Sequence, residues 1–368
     1  MKTGLYIHIP FCKQKCNYCD FASFAGREFL IDEYLSALEK EAALSPVSRF
    51  ETLYVGGGTP SVLSVEQLQK LCEILSKYFG PISSFEESTF EANPESLTSE
   101  KIEVLKKFGF NRLSLGLQSF NDKELKTLGR VHDVKTFLNT YEKARAGGFE
   151  NINVDLIAGL PNQSFENFTE GLEKLIALRP EHISVYGLQI EEGTPFFERG
   201  IVCDQLLMRR MLEETRSRLQ TNGYHHYEIS NFALCGKEAC HNTHYWQYGE
   251  YIGLGSAAAS YYAGVRYQNT SDIQEYIRLI NQAKNPVSFS ETLEEKEKEG
   301  EKLMLAFRQL DGVELSAKQQ ELFGKEIEKH IKSGLLLQVG KKVKLSEEGL
   351  FLANEVFCSF VAPFDEDE

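Results

Sequence analysis

The sequence predicts an α/β protein, in which a partly closed barrel of six strand–helix units is followed by a small α+β domain. Three observations lead to this prediction. Short apolar runs alternate with amphipathic helical patterns through the first half of the chain, polar and cysteine residues follow directly after those runs, and the alternation stops near residue 200. Such alternation is typical of right-handed βαβ units and a parallel sheet.

Six strand-like runs form the barrel in this prediction. They are Leu5–Ile9, Leu53–Gly56, Phe85–Phe90, Leu113–Leu117, Ile152–Ile157 and Ile183–Leu188. The helical patterns between them are Glu33–Ala43, Val65–Tyr78, Ser99–Phe108, Val134–Ala146 and Phe165–Leu178. Six units make a partial (βα)6 barrel, related to the eight-unit TIM barrel, and a flat doubly wound sheet is the alternative.

The second half of the chain has a different pattern. A helix over Leu206–Thr221 leads to an aromatic, His-rich segment, Tyr224–Tyr251. From Glu291 onward we predict three helices, a hairpin over Leu335–Leu345 and a last helix, which together resemble a winged helix. The predicted domains are therefore residues 1–205 (barrel), 206–290 (extension) and 291–368 (winged-helix-like domain), and the acidic end, Asp365–Glu368, is expected to be disordered.

Composition and charge exclude several classes of protein. The 368 residues are 42% hydrophobic and carry a net charge of −14, which argues against a broad nucleic-acid surface. No apolar run reaches the roughly 18 residues of a membrane span, and the N-terminus lacks the features of a signal peptide. We therefore expect a cytoplasmic protein, in which eight cysteines point to metal binding or chemistry more than to disulfides.

Three of those cysteines form a compact motif directly after the first predicted strand. The spacing is Cys12-x3-Cys16-x2-Cys19. Thiolates suit iron–sulfur clusters and zinc, but an ordinary 4Fe–4S cluster takes four of them, one per iron. Three thiolates would leave one iron open for a small molecule. A zinc site with a distant fourth ligand, or plain buried cysteines, is the alternative.

Further polar residues lie at the ends of the later strands, where ligands bind in parallel α/β folds. The run Gly56–Pro60 could let the backbone approach an amino acid and expose N–H donors, although a tight turn is the better explanation of the run taken alone. Carboxylates and amides suit ribose hydroxyls, and arginine suits a carboxylate, unless these side chains only bond to one another. The candidates are Glu91, Gln118, Arg130 and Asp155.

A second concentration of metal-binding side chains lies in the extension. It is Cys240-His241-Asn242-Thr243-His244-Tyr245-Trp246, preceded by His225, His226 and Cys235. Histidine and cysteine are common axial ligands of haem iron, and the aromatic pair could face a macrocycle. A structural loop with hydrogen-bonded polar groups and packed rings is the alternative.

Taken together, these motifs resemble the radical S-adenosylmethionine (SAM) superfamily over nearly the whole chain. They are Tyr6-x-His8-x-Pro10-x-Cys12-x3-Cys16-x-Tyr18-Cys19, Gly56–Pro60, Glu91-x-Asn93-Pro94, Gly116-x-Gln118-Ser119, Leu128-Gly129-Arg130-x-His132 and Asp155-Leu156-Ile157-x-Gly159-Leu160-Pro161. The resemblance implies a radical SAM barrel with a 4Fe–4S cluster on Cys12, Cys16 and Cys19. It also implies SAM contacts from Tyr6, Tyr18, Gly57, Thr59, Glu91, Gln118, Arg130 and Asp155, and from Gln189 through its backbone.

Two groups in this superfamily resemble the chain most, the oxygen-independent coproporphyrinogen III oxidases and the HemW-type haem chaperones. Three features favour the chaperones. The oxidases have a further cysteine two residues after the third cluster cysteine, where this chain has Phe21. The chaperone motif His-Asn-x-x-Tyr-Trp is present at His241–Trp246. Only five residues precede Tyr6.

The chaperone resemblance implies haem binding near His241, with Cys240, His244 and His225 as substitutes for the ligand. The implied partners are haem, a haem-acceptor protein and an electron donor to the cluster, with no nucleic acid, and a homodimer is left open. The alternative is an enzyme that oxidatively decarboxylates coproporphyrinogen III to protoporphyrinogen IX. A radical SAM enzyme with an unrelated substrate is a weaker third.

Overall fold

A computed structural model describes residues 3–364, so the predicted acidic tail lies outside the described residues. The strands are β1 (Thr3–Ile9), β2 (Phe11–Cys12), β3 (Phe24–Ala25), β4 (Thr52–Gly57), β5 (Glu87–Ala92), β6 (Arg112–Gln118), β7 (Ile152–Ala158), β8 (His182–Gly187), β9 (His225–Glu228), β10 (Asn231–Ala233), β11 (Glu250–Leu254), β12 (Ala259–Tyr262), β13 (Val265–Asn269), β14 (Val287–Thr292), β15 (Val313–Glu314), β16 (Leu336–Val339) and β17 (Lys342–Leu345). The helices are α1 (Ile31–Ala42), α2 (Val65–Phe79), α3 (Ser99–Phe108), α4 (Asp122–Leu128), α5 (Val134–Ala146), α6 (Phe165–Leu178), α7 (Pro195–Glu198), α8 (Gln205–Thr221), α9 (Cys240–Trp246), α10 (Ile273–Asn281), α11 (Glu295–Ala306), α12 (Ala317–Lys332), α13 (Glu347–Phe351) and α14 (Ala353–Cys358).

The predicted barrel strands form the centre of the main sheet. Its order runs β1-β4-β5-β6-β7-β8, and every pair in that run is parallel. Each predicted strand matches an observed one to within two residues at both ends. The partial (βα)6 barrel is therefore confirmed, and all six carboxyl ends open on the same side of the sheet.

The sheet continues beyond these six strands, which the sequence did not predict. Strand β11 pairs with β1 in parallel, β12, β13 and β14 extend that edge antiparallel, and β10 and β9 extend the edge beyond β8. These strands have mixed polar and aromatic composition, so they lack the apolar runs that marked the central strands. The segment interpreted as an aromatic, His-rich stretch thus contains β9, β10, α9 and the start of β11.

Local signals explain the helix bounds that the sequence predicted well. Helix α2 begins at a capping box, in which the Ser64 hydroxyl accepts from the Gln67 amide while the Gln67 side chain accepts from the Ser64 amide. Helix α3 ends where Gly109 takes a φ of +100°. Apolar residues of these helices belong to the same buried core as strand residues such as Leu5 and Ile7, which have no exposed surface.

The C-terminal region has its own apolar core, which includes Leu303, Phe307, Phe323 and Phe360. Its hairpin, β16–β17, is confirmed, but the prediction of three helices before it is wrong. Two helices, α11 and α12, precede the hairpin, because Gly312 with a φ of +78° turns the chain into the short strand β15. The division at residues 205 and 290 stays a proposal, since strands of 206–290 belong to the barrel's sheet.

Within residues 3–364, no helix combines the length and the apolar character needed to cross a bilayer.

Candidate cofactor-binding site

The three cysteines line a single cavity of about 460 Å³ at the carboxyl ends of the barrel strands. Cys12 ends β2 and is buried, whereas Cys16 and Cys19 are half-buried in the loop that follows. The loop is tied to the end of α4, because the Asn17 amide donates to the Leu128 carbonyl at 2.9 Å and its side chain donates to the Thr127 carbonyl at 2.8 Å. The sequence motif is therefore held in one defined place.

The donor set fits a cluster held by three thiolates. The other five cysteines of the chain contribute nothing to the lining of this cavity. Among residues 3–364 no three His, Cys, Asp or Glu side chains converge closely enough to hold a single metal ion. Burial raises the pKa of the Cys12 and Cys19 thiols, so loading the site must release protons.

The glycine run after β4 packs directly against the cysteine loop. A Cβ on Gly58 would lie 2.7 Å from the Phe11 carbonyl oxygen, so only glycine permits this approach. The Gly58 amide donates to Ile9 at 2.9 Å and the Thr59 amide donates to Phe11 at 2.8 Å. The expectation of free N–H donors is therefore wrong at these two positions, where the amides instead hold the cysteine loop.

Most of the other predicted SAM-contacting residues converge on the same cavity. Those that line it are Tyr18, Gly57, Thr59, Glu91, Gln118, Arg130, Asp155 and Gln189. Tyr6 does not line it, and its hydroxyl makes a 2.9 Å hydrogen bond with His8 Nδ1. His241 does not line it either, although the next residue, Asn242, does.

Arg130 links the cysteine loop to the strand ends. Its guanidinium donates to Asn93 Oδ1 at 2.6 Å, to the Gly116 carbonyl at 2.7 Å and to Cys16 Sγ at 3.6 Å. Gln118 closes the same rim with a φ of 72°, at a register shift in the pairing of β6 with β7. Strain of this kind is common where a side chain is aimed at a ligand.

Sequence reasoning missed the polar residues that line the barrel interior beneath the strand ends. They are Arg112 and Ser114 on β6, Asn153 on β7, and His182, Ser184 and Tyr186 on β8. These residues occupy every second position of their strands, which is the spacing of one face. We predicted these strands from their apolar residues. The polar residue at every second position is the signal that could have located the lining residues.

Glu91 lies at the end of β5, where the Tyr54 hydroxyl donates to its Oε1 at 2.5 Å. Burial raises the pKa of this carboxyl from 4.5 to about 7. Because the shift is upward, the protonated form prevails below that pH and the carboxylate above it. A positively charged sulfonium ligand would favour the carboxylate.

We therefore expect SAM to bind the reconstituted protein about tenfold more tightly near pH 8 than near pH 6, as ionisation of one such group allows. Anaerobic calorimetric titration across this range measures the effect. In Glu91→Gln the dependence assigned to this group should vanish. Equal pH dependence in wild type and variant would show that another group titrates.

The His-Asn-x-x-Tyr-Trp segment lies at the opposite end of the barrel from the cysteines. It forms the short helix α9, whose first amides, those of Cys240 and His241, donate to Glu87 at 2.8 and 3.2 Å. Glu87 is the first residue of β5, and Thr52, which bonds to His241, is the first of β4. The helix therefore covers the amino-terminal ends of these strands.

His241 is held on several sides in this arrangement. Its Nδ1 bonds to Thr52 Oγ1 at 2.8 Å, its Nε2 bonds to the Tyr245 hydroxyl at 2.7 Å, and its ring stacks on Tyr54 at 5.2 Å. Burial lowers the pKa of His241 to about 3, so the ring is neutral. Ligation of haem iron by either nitrogen requires one of these hydrogen bonds to open.

The other three candidate haem ligands differ in their exposure to solvent. His244 Nε2 bonds to the Glu250 carbonyl at 2.7 Å, and Cys240 is half-buried at the start of α9. His225, on the first position of β9, is exposed and lies 3.3 Å from Glu238 Oε1. Of the four candidates, His225 is the most open to solvent.

A parallel barrel with three cysteines after its first strand and a glycine run after the second defines a radical SAM protein. The radical SAM superfamily profile matches residues 6–175. The chain is 37% identical to the heme chaperone HemW of Bacillus subtilis strain 168, over 98% of this chain and 99% of that protein. It is 36% identical to HemW of Lactococcus lactis, over 98% of this chain and 97% of the relative.

The solved coproporphyrinogen III oxidase HemN of Escherichia coli has a similar fold. It superposes with a TM-score of 0.85 at 24% identity, over 98% of this chain and 90% of that one. The chain thus belongs to the radical SAM superfamily and, within it, to the HemW family. A 4Fe–4S cluster and SAM are the cofactors of that superfamily.

Proposed function

We propose that the protein is a haem chaperone, which binds haem and passes it to an acceptor protein. The observation that carries this proposal is similarity over almost the full length to proteins named heme chaperone HemW. The motif at His241–Trp246 and the apolar Phe21 after the cluster cysteines support it against the oxidase alternative. Phe21 lines the cavity and has no thiol.

We further propose that Cys12, Cys16 and Cys19 hold the cluster and that the strand-end residues hold SAM. Bound together, cluster and SAM supply one-electron cleavage chemistry, which the protein must orient and protect. In this proposal Arg130 fixes the position of Cys16, and Gly57, Glu91 and Asp155 receive the small molecule. The electron comes from a separate donor. Reduced thiols also favour the proposed cytoplasmic location.

Product analysis separates the chaperone from the oxidase. The reconstituted protein is incubated anaerobically with SAM, a reductant and coproporphyrinogen III, and the porphyrins are identified by chromatography. The chaperone proposal expects unchanged substrate. Conversion to protoporphyrinogen IX over many turnovers would establish the oxidase instead.

His241 remains our first proposal for the haem ligand. His241→Ala is then expected to weaken haem binding more than about tenfold, because the axial bond is lost. Haem titration of the reconstituted protein, followed by the Soret band, measures this change. The matched control is His330→Ala, since His330 is also buried and bonds to Ser359 at 2.9 Å, but lies in the C-terminal core.

A different result would assign the haem ligand to another residue. If His241→Ala binds haem like wild type and His225→Ala does not, the exposed histidine on β9 is the ligand. If both single variants retain wild-type affinity, the ligand is neither histidine. Gel filtration of the loaded protein tests the homodimer, which also stays a proposal.

A further inference from the structure

Arg112, at the first position of β6, is a buried cation that forms no ion pair with any of the described residues. It is only 2% exposed, yet it lines the cavity below the strand ends. Its Nη1 donates to Thr89 Oγ1 at 3.4 Å, and its Nε has no partner within residues 3–364. A buried charge without a bonded partner lowers stability, so its presence calls for an explanation.

Three carboxylates act on the charge of Arg112, but their oxygens bond to other groups. Glu87 accepts from the first two amides of α9 at 2.8 and 3.2 Å, Glu91 accepts from the Tyr54 hydroxyl, and Asp155 accepts from an asparagine amide at 2.8 Å. Burial raises the pKa of Glu91 and of Asp155, which limits the negative charge that they hold in the interior. The guanidinium therefore keeps unused N–H donors.

Most other polar side chains deep in the cavity bond to one another. Asn153 Nδ2 donates to Ser114 Oγ at 2.9 Å, while Asn153 Oδ1 bonds to His182 Nδ1 at 2.6 Å and accepts from the Ser184 hydroxyl at 3.0 Å. Asn242, on α9, is the exception. It lines the cavity, and its side-chain amide makes no hydrogen bond with another residue of the described range 3–364.

We propose that Arg112 and Asn242 bind a propionate carboxylate of haem. This inference rests on the proposed chaperone function and names the residues that recognise the charged edge of the cargo. A guanidinium can donate two parallel N–H groups to one carboxylate, and an asparagine amide can add a third. The bound carboxylate gives the buried guanidinium the partner that it lacks.

The position of this donor pair beside the haem motif favours haem as the source of the carboxylate. Asn242 directly follows His241, the first candidate for the haem ligand. Burial chiefly, and the charges of His244 and Arg112 in addition, lower the pKa of His241 to about 3, so Arg112 acts directly on this ring.

The cysteine end of the cavity is far from this pair. Gln118, at the carboxyl end of β6, lies six residues beyond Arg112. At roughly 3.3 Å per residue the two are about 20 Å apart along the strand. A carboxylate held beside the cysteines therefore does not reach Arg112, which separates this contact from the proposed SAM contacts.

The first test varies the ligand and leaves the protein unchanged. The reconstituted full chain is titrated anaerobically with haem and with haem dimethyl ester, whose propionates carry no charge, in the same detergent buffer. The Soret band follows both titrations. Wild type is expected to bind haem at least about tenfold more tightly than the ester, because a charge-assisted hydrogen bond to a buried group is lost in the ester.

Variants then locate the contact. Arg112→Gln should bind haem about tenfold more weakly and the ester within about twofold of wild type, so the preference for free carboxylates disappears. Asn242→Ala should reduce that preference by a smaller factor, about threefold. If Arg112→Gln does not fold, Arg112→Lys, which keeps the charge and loses the paired donors, repeats the test.

The matched control is Arg145→Gln. Arg145 already bonds to Glu181 at 2.8 Å and does not line the cavity. Its variant should keep the wild-type preference for haem over the ester.

Three outcomes would overturn the propionate contact. Equal affinity of wild type for haem and its dimethyl ester would show that the propionates are not recognised. A full preference retained in Arg112→Gln would place the carboxylate on another residue. Weaker SAM binding in Arg112→Gln with an unchanged haem preference would assign the anion to SAM. The absence of haem binding in wild type would instead contradict the chaperone proposal itself, and this result separates the two.

Discussion

Cys16→Ala is expected to contain almost no 4Fe–4S cluster after anaerobic reconstitution, whereas wild type should contain about four iron atoms per chain. The reason is that the cavity offers only three thiols, Cys12, Cys16 and Cys19. The other cysteines do not line it, so none stands ready to replace a lost ligand. Iron and sulfide analysis, with the visible absorption of the cluster, measures the loss.

The control for this variant is Cys203→Ala. Cys203 is also a half-buried free thiol, and its Sγ donates to the Leu188 carbonyl at 3.5 Å, but Cys203 itself does not line the cavity. It should load iron like wild type. Wild-type iron content in Cys16→Ala would contradict the assignment of the three cysteines as the ligands.

Gly57→Ala is expected to weaken SAM binding by roughly tenfold to a hundredfold, the equivalent of about 1–3 kcal/mol of local strain. Gly57 has a φ of +108°, and a Cβ there would lie 2.8 Å from the ring of His8. His8 is buried, and its Nε2 bonds to the Ala22 carbonyl at 2.9 Å, so the ring cannot yield without disturbing the cysteine loop. Calorimetric titration with SAM measures the effect.

Gly80→Ala separates the effect of backbone strain from the effect of the clash. Gly80 has a φ of +87°, but a Cβ there would meet nothing within 4 Å. It ends α2, so its alanine variant should lose some stability and keep wild-type SAM affinity. If Gly57→Ala binds SAM as tightly as Gly80→Ala does, the glycine run has no part in the SAM site.

The sequence predicted the parts of the fold and site that local patterns control. Central strands carry apolar runs because both faces are covered, and their carboxyl ends position Cys12, Glu91 and Gln118. The edge strands escaped prediction because their mixed polar and aromatic composition gives no apolar run. Hydrogen bonds between residues far apart in sequence escaped prediction as well, such as those that the amides of Gly58 and Thr59 donate to the carbonyls of Ile9 and Phe11.

The surroundings of His241, in the His-Asn-x-x-Tyr-Trp motif, also could not be predicted from local sequence. Its residue type suits haem iron, but its position beneath the strands depends on contacts with Thr52 and Glu87, which lie far away in sequence. Tyr54 then connects the two motifs, since its ring stacks on His241 and its hydroxyl donates to Glu91. No local pattern in the sequence indicates that connection.

We propose that a radical SAM barrel here serves to carry haem. The most direct test is a titration of the anaerobically reconstituted wild-type protein with haem, followed by the Soret band. Saturable binding of about one haem per chain is expected, with the cluster intact. The absence of any saturable Soret change in protein that holds its cluster and cleaves SAM would contradict the claim.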